Sequence, residues 1–224
     1  MHRFTTLMVI AAAVAWGMPA AAFAETYAEK LGWPEGSRVL IINSDDVGMS
    51  LAATQGSIEG LEAGIVSSVT MMMPCPWVIR FKNYLTKHPD VCVGAHIMLC
   101  NEWDEYGIEP LSGPAVVPGL TDEDGCFWDG NGLLVDHATA EEVGIEIRAQ
   151  LDRAEKMGIK LSHFDSHMWS VFQREDYAEQ YVSIAIERNL PIRIVQGVPG
   201  GYAEDDDEIV AMCRKFTQRV WDAG

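Results

Sequence analysis

The sequence predicts an α/β protein built on a parallel sheet, and three observations support this fold class. Apolar, β-branched segments alternate along the chain with segments of helical period. The first predicted strand runs directly into two adjacent aspartates, and a later strand carries three polar residues spaced two apart. Polar residues at the carboxyl ends of parallel strands are typical of ligand sites in α/β folds. We therefore expect a polar site at one end of the sheet.

Five strand segments are predicted, with helical segments between and after them. The strands are expected at residues 38–44, 65–73, 91–99, 160–166 and 191–195. The helices are expected near residues 51–63, 76–87, 140–157, 174–188 and 205–221. Regular alternation of this kind indicates a parallel α/β sheet or barrel.

Capping residues mark the ends of two of these helices. Ser50 is the expected N-cap of the first helix, and Gly64 is its expected stop. In the third helix, Thr139 and Glu142 match a capping box, and Gly158 follows the last turn at the C′ position. Both helices therefore have predicted starts and ends.

The alternation fails between Leu99 and Thr139, where the chain is rich in glycine, proline and acidic residues. Long insertions of this kind in a compact domain are usually lids or binding loops. Trp103 and Trp128 lie in this insertion and could stack on a ring-shaped ligand, although a loop tryptophan is as often a packing anchor. Both readings remain open at this stage.

The first 24 residues have the pattern of a secretory signal peptide. Arg3 precedes an apolar run, and small residues follow up to an expected cleavage site after Ala24. An uncleaved membrane anchor is the alternative, but Gly17 and Pro19 interrupt the run before the roughly 20 residues that a spanning helix needs. We expect residues 25–224 to form a single exported domain, periplasmic or secreted, without stable membrane insertion.

The charge balance narrows the range of partners. The chain has 224 residues, with 33 acidic and 16 basic side chains and a formal net charge of −17. This charge repels phosphate backbones and anionic membranes, so nucleic acid is not expected as a partner. Solubility alone would also explain the charge, and a neutral or cationic substrate is compatible with either reading. The five cysteines match no zinc knuckle or redox pair.

Two adjacent carboxylates follow the first strand. Asp45 and Asp46 project in different directions, so one can bind a metal while the other handles a proton. A solvated turn with an acidic N-cap for the next helix is the plainer interpretation. The pair alone does not decide between these two interpretations.

Histidines in two later predicted strands favour the interpretation that the aspartates belong to a metal site. His96 is a single histidine among apolar residues. Taken alone, it would be interpreted as a core residue whose ring nitrogens have hydrogen-bond partners. The period of a strand places His163, Asp165 and His167 on one face, where buried polar groups need partners. Together with Asp46, His96 and His167 form a ligand set suited to Zn²⁺ and usable by other divalent ions. The remaining carboxylates could act as general base or orient the ligating imidazoles.

Three motifs in this order resemble those of the YdjC-like (ChbG/HpnK-type) carbohydrate deacetylases. They are Asn43-Ser44-Asp45-Asp46-Val47-Gly48, Gly94-Ala95-His96 and His163-Phe164-Asp165-Ser166-His167. The resemblance covers about residues 38–195, and further short matches lie between these motifs. No single motif is decisive, but their order and spacing make the similarity strong.

The resemblance implies a deformed (β/α) barrel of the polysaccharide-deacetylase-like type, with one divalent metal ion, Mg²⁺ or Zn²⁺, at the carboxyl ends of its strands. It makes Asp46, His96 and His167 the metal ligands and Asp45 the base that takes a proton from the attacking water. Asp165 is the second expected catalytic carboxylate. The expected reaction is hydrolysis of the acetamide of an N-acetylated sugar or oligosaccharide, releasing acetate, and His163 is an expected substrate contact. No residue is assigned as the acid that protonates the leaving amine.

Two departures from the family pattern keep alternatives open. Met168-Trp169-Ser170 stands where many relatives have further histidines, and a late His-Pro-Gly segment is absent. Five strands also fall short of closing a barrel, so we expect an incomplete, C-terminally short version with an open edge at strand 191–195. A non-catalytic sugar-binding protein and a metal hydrolase of another amide or ester are the alternatives. Homo-oligomerisation is left open.

Overall fold

The structure, a computed structural model, describes residues 26–194 and 207–224. The chain divides into two compact units, residues 1–40 and 41–224. The described part of the first unit contains the one-turn helix α1 (Tyr27–Lys30), which the sequence analysis did not predict and which a capping box between Thr26 and Glu29 begins. The predicted signal peptide, residues 1–24, lies outside the described residues.

The described residues of the second unit contain a four-stranded parallel sheet. Its strands are β1 (Asn43–Val47), β2 (Ser68–Met71), β3 (Cys92–Ile97) and β4 (His163–Ser166), and they lie side by side in sequence order. Sequential order with helical crossovers is the arrangement of a (β/α) barrel, whereas doubly wound sheets reverse direction. The sheet is open, so the predicted incomplete (β/α) barrel is confirmed.

Six helices follow in the described residues of the second unit. They are α2 (Leu51–Glu62), α3 (Val78–Leu85), α4 (Gly130–His137), α5 (Ala140–Lys156), α6 (Glu175–Arg188) and α7 (Asp207–Ala223). Short 3₁₀ segments lie at Pro118–Leu120 and His167–Phe172. Of the helices in the described ranges, none combines the length and apolar character that a bilayer crossing requires.

The predicted helix ends are confirmed. The Ser50 hydroxyl accepts a hydrogen bond from the backbone of Ala53 at the start of α2. Thr139 and Glu142 form the reciprocal capping box of α5. Gly158 has a φ of 72°, which glycine adopts without the steric penalty of a side chain. These local signals therefore act as the sequence indicates.

The predicted bounds of the first strand, 38–44, are wrong. Residues 39–42 precede β1, and their apolar side chains are exposed, with Leu40 at 77% and Ile41 at 70%. The reason lies in the partner strand, because residues 64–66 fold back onto α2 through hydrogen bonds from Ile65 and Val66 to Gly60. That turn takes residues 64–66 out of the sheet, so in the described part of the chain the pairing starts where the Ser67 backbone donates to Ile42.

The predicted fifth strand, 191–195, is reduced to a single parallel bridge between Ile192 and Phe164. The Phe164 backbone donates to Pro191 and accepts from Arg193, so the segment lies alongside β4 without becoming a regular strand. Residue 195 lies outside the described residues. The bridge nevertheless continues the sequential order of the sheet beyond β4.

The two faces of the sheet differ in polarity. Val69, Met71, Ala95 and Phe164 face two apolar clusters formed with helices α2, α3, α5, α6 and α7. Along each strand the intervening residues point to the opposite face. That second face carries the polar residues Asp45, Thr70, His96 and Asp165. The helical layer therefore supports the sheet on one side and leaves the polar side for the site.

The insertion between β3 and α5, expected as an irregular loop, contains α4 and a 3₁₀ turn. The Asn101 amide donates to the backbone of Trp103 and Tyr106, which holds the first turn of the insertion together. Glu146 on α5 accepts hydrogen bonds from the backbone of Leu111 and Ser112. These bonds hold the middle of the insertion in place. The insertion is thus tied to the helix behind the sheet.

Candidate metal centre

The first member of the site, Asp46, lies near the end of β1 in an unusual backbone conformation. Its φ is 60°, and the pairing register with β2 shifts between Ser44 and Val47. A shift of this kind is a bulge, which redirects a strand and re-aims its side chains. Left-handed backbone at a non-glycine residue is uncommon and concentrates at functional sites.

Asp46, His96 and His167 offer ligand atoms that all lie within 4.8 Å of one another. The Asp46 Oδ1 atom is 3.3 Å from His96 Nε2 and 3.6 Å from His167 Nδ1. Tetrahedral ligands at the usual zinc distances would be separated by about 3.4 Å. The spacing and the donor atoms therefore fit a divalent ion.

Two atoms of this cluster lack hydrogen bonds although they are buried. They are Asp46 Oδ1 and His167 Nε2. A buried polar atom without a partner is costly, and native structures rarely leave one without a reason. The unsatisfied Asp46 oxygen faces the two imidazoles, where an ion would satisfy it.

A buried carboxylate orients His96. The His96 Nδ1 atom lies 2.6 Å from Asp165 Oδ1, and both side chains are nearly inaccessible to solvent. This contact directs Nε2 towards Asp46. Burial alone would lower the pKa of His96, but the carboxylates of Asp165 and Asp46 raise it to about 10. Burial raises the pKa of Asp46, yet contacts with His167 and His96 outweigh it and hold that pKa below its usual range.

Of the two adjacent aspartates, Asp45 has the more exposed side chain. Its Oδ1 atom accepts hydrogen bonds from the Thr70 hydroxyl, at 3.0 Å, and from the Asn43 amide. Its Oδ2 atom lies 4.0 Å from the guanidinium of Arg193, which in turn stacks over the ring of Trp169. One oxygen is therefore held in place while the other faces a cation.

Of the two tryptophans predicted to contact substrate, the structure places Trp103 at the candidate metal site and Trp128 elsewhere in the insertion. The Trp103 ring stacks on the imidazole of His167, with centroids 5.5 Å apart, so the structure brings it to the cluster. Trp128 instead stacks on His137, and its indole N–H donates to the backbone of Gly119. Trp128 thus fills the role of a packing anchor within the insertion, and a substrate contact remains a prediction for it.

His163 lies one layer below the cluster, at the start of β4. It is paired in register with Gly94 on β3, two residues before His96. A Cβ atom at Gly94 would come within 2.7 Å of the His163 ring, so glycine leaves the room that the ring occupies. Burial lowers the pKa of His163. Its predicted contact with substrate stays a prediction.

Two residues near the cluster were missed in the sequence analysis. Glu102 places Oε1 3.8 Å from His167 Nε2, and Arg193 faces Asp45. Glu102 lies in the irregular insertion, whereas Arg193 lies in the predicted strand 191–195, between Ile192 and Ile194. Position alone was the available signal, since Glu102 follows the end of a predicted strand.

The departure at residues 168–170 has a structural consequence. Met168 and Trp169 both have left-handed backbone, with φ values of 49° and 55°, inside the short 3₁₀ segment that follows β4. The chain turns sharply there, and the turn presents Trp169 to Arg193. The tryptophan of this variant segment therefore supports the guanidinium beside Asp45.

Comparison with known proteins identifies relatives. The family model of the YdjC-like proteins matches residues 39–222. A carbohydrate deacetylase from Thermoanaerobacter pseudethanolicus is 31% identical over 156 residues, which cover 70% of this chain and 60% of the relative. A carbohydrate deacetylase from Brevibacillus brevis is 37% identical over 155 residues, covering 69% and 58%.

A solved structure agrees. It is a protein from Enterococcus faecalis V583 described as a candidate cellobiose-phosphate cleavage protein, with a TM-score of 0.67 and 27% identity. The match covers 82% of this chain and 64% of that one. The chain spans about three fifths of the length of the curated relatives it matches. Fold, motif order and family match agree, and the chain belongs to the YdjC-like family.

Proposed function

We propose that this chain is a metal-dependent carbohydrate deacetylase that hydrolyses the acetamide of an N-acetylated sugar or oligosaccharide. The observation that carries the proposal is the cluster of Asp46, His96 and His167, whose unsatisfied Asp46 oxygen faces both imidazoles. The carbohydrate deacetylase names of the relatives support the reaction class. We further propose that residues 25–224 form one exported domain after cleavage of residues 1–24.

Asp46, His96 and His167 are the proposed ligands of one divalent ion. Two imidazole nitrogens and one carboxylate oxygen suit Zn²⁺ better than Mg²⁺, because Mg²⁺ prefers oxygen ligands. A bound ion supplies Lewis-acid polarisation of the acetyl carbonyl and makes water a better nucleophile at neutral pH. Asp165 contacts His96 at Nδ1 and is the proposed group that orients this ligand, while its expected catalytic role stays a prediction.

Asp45 is the proposed general base. Thr70 and Asn43 fix one of its oxygens, and the other is the proposed acceptor of the proton of the attacking water. Arg193 lies beside that second oxygen and contributes positive charge to a site rich in carboxylates. Trp103, stacked on His167, offers an apolar face next to the reacting group, which suits the acetyl methyl or a sugar ring.

The experiment is acetate release by residues 25–224 loaded with Zn²⁺, measured on N-acetylated sugars and chitooligosaccharides. Replacing Asp45 by Asn is expected to keep the bound metal and lower turnover by roughly 10²–10⁴-fold, the usual effect of a lost general base. Replacing His167 by Ala is expected to release the metal. Metal content, measured on each variant, separates the two effects.

The same assay decides between the alternatives. Sugar binding without acetate release at saturating metal would favour a non-catalytic sugar-binding protein. Release from other amides or esters, but not from N-acetylated sugars, would assign a different substrate class. If the Asp45 variant lost metal yet kept its rate per bound ion, the roles of the two aspartates would be reversed.

A further inference from the structure

The Nε2 atom of His167 is a buried nitrogen that the proposed metal site does not explain. The His167 side chain is only 3% exposed, and Nε2 has no hydrogen bond. The other ring nitrogen, Nδ1, is the one that faces Asp46 Oδ1, at 3.6 Å. If Nδ1 binds an ion, Nε2 carries the proton, and a buried N–H needs an acceptor.

The acceptor within reach is the carboxylate of Glu102. Its Oε1 atom lies 3.8 Å from Nε2, which is longer than a hydrogen bond but within range of a small side-chain rotation. The Glu102 side chain is 37% exposed and so is free to make that adjustment. Trp103, the next residue, stacks on the His167 ring and holds the plane of the imidazole. The two residues approach the same ring from different sides.

The arrangement around His96 shows the same pattern in a completed form. There Nε2 faces Asp46, and Nδ1 contacts the carboxylate of Asp165 at 2.6 Å. Metal-binding histidines commonly donate their second N–H to a carboxylate, which fixes the tautomer and the ring orientation. His167 has a similar environment to His96, with a carboxylate facing its second ring nitrogen. That carboxylate, Glu102, comes from the insertion and lies about one ångström too far away for a hydrogen bond.

We propose that Glu102 is a positioning residue for the metal site, whose carboxylate accepts the Nε2–H of His167 and keeps Nδ1 free for the ion. The inference rests on the proposed metal site and goes beyond the proposed reaction. It makes the start of the insertion part of the metal site. Glu102 then acts through His167 and is not itself a ligand.

The test is the affinity for Co²⁺ of residues 25–224, titrated by visible absorption. Replacing Glu102 by Ala is expected to weaken Co²⁺ binding by about 10–100-fold, the usual effect of removing a carboxylate behind a ligating imidazole. Replacing Glu102 by Gln keeps an acceptor oxygen and is expected to give a smaller loss. Asp104→Asn, an exposed acid two residues further along the insertion, is the matched control and is expected to bind like the unmodified chain.

The absorption spectrum tests the role separately from the affinity. Because the ligand atoms are unchanged, the band positions and intensities of saturated Glu102→Ala are expected to match those of the unmodified chain. A changed spectrum would make Glu102 a ligand and overturn the proposal, as would an affinity equal to that of Asp104→Asn. Urea unfolding of the metal-free variants checks that the fold is intact, and Glu102→Gln keeps the test available if the alanine variant does not fold.

Failure of the proposed function gives a different result. If the unmodified chain binds Co²⁺ but releases no acetate, the deacetylase proposal fails, and the order of affinities still decides the role of Glu102. If the unmodified chain binds no Co²⁺ at all, the metal site and the inference built on it are both refuted.

Discussion

Glu146 is predicted to be one of the most sensitive single positions for stability. It is fully buried on α5, and its carboxylate accepts three hydrogen bonds, from the backbone of Leu111 and Ser112 and from the Gln150 amide. Gln150 also bonds both backbone groups of Met98, just after β3. The pair therefore ties the insertion to the strand that carries His96. Burial raises the pKa of Glu146, although its three donors oppose that rise.

Replacing Glu146 by Gln changes only the chemistry of one buried group. One carboxylate oxygen becomes an NH₂ that faces a donor, so one hydrogen bond is lost and a buried N–H is left unsatisfied, at a cost of about 1–3 kcal/mol. The remaining bonds become neutral and lose about half of their strength. The expected loss in the free energy of unfolding is about 2–4 kcal/mol.

Urea unfolding followed by circular dichroism measures this loss. With an m value of about 2 kcal/mol/M, the midpoint should fall by about 1–2 M. Glu141→Gln is the matched control, because Glu141 is exposed in the first turn of the same helix and its replacement should cost less than about 1 kcal/mol. Hydrogen exchange at Leu111 and Ser112 should accelerate in Glu146→Gln. A midpoint equal to that of the control would show that the hydrogen bonds of Glu146 do not stabilise the attachment of the insertion.

Two further predictions concern the polar face of the sheet. Gly94→Ala should destabilise the chain by about 1–3 kcal/mol, because the added methyl meets His163 and Thr70 within 2.8 Å, and His163→Ala in the same chain should restore part of the loss in urea unfolding. Simple additivity of the two changes would contradict this clash. Asp165→Asn should weaken metal binding by about 10–100-fold in equilibrium dialysis, since His96 loses the charged acceptor at Nδ1; unchanged affinity would show that the buried carboxylate does not orient the ligand.

Local signals explain why much of the fold could be predicted. Ser50 and the Thr139–Glu142 box satisfy helix ends through contacts three residues apart, which a sequence displays directly. Strand bounds depend instead on a partner. The run at residues 39–42 has strong β propensity, but the turn at residues 64–66 removes its neighbour, and no property of the run itself reveals that.

The same distinction applies to the site. Asp46 and His96 lie near the carboxyl ends of their strands, and His167 directly follows β4. Because parallel strands end at one edge, their proximity could be expected from sequence. Glu102 reaches the site from the irregular insertion, whose path is set by distant contacts, whereas Arg193 lies in a segment whose strand pattern was recognised but whose charge was not assigned to the site. No periodicity predicts the approach of Glu102 to His167, and the contact of Arg193 with Asp45 is seen only in the structure.

The carboxylates gathered at the site give a second argument that it binds a cation. Asp45, Asp46, Asp165 and Glu102 place four carboxylates around two imidazoles, in a chain whose net charge is −17. Among the ion pairs of the described residues, these four carboxylates meet one guanidinium, that of Arg193, besides the imidazoles of His96 and His167. Like charges at this spacing repel, and burial of Asp165 and most of Asp46 strengthens the repulsion because less water screens it. A divalent ion between Asp46 and the imidazoles balances two of those charges, so the electrostatics of the cluster and its unsatisfied oxygen favour the same occupant.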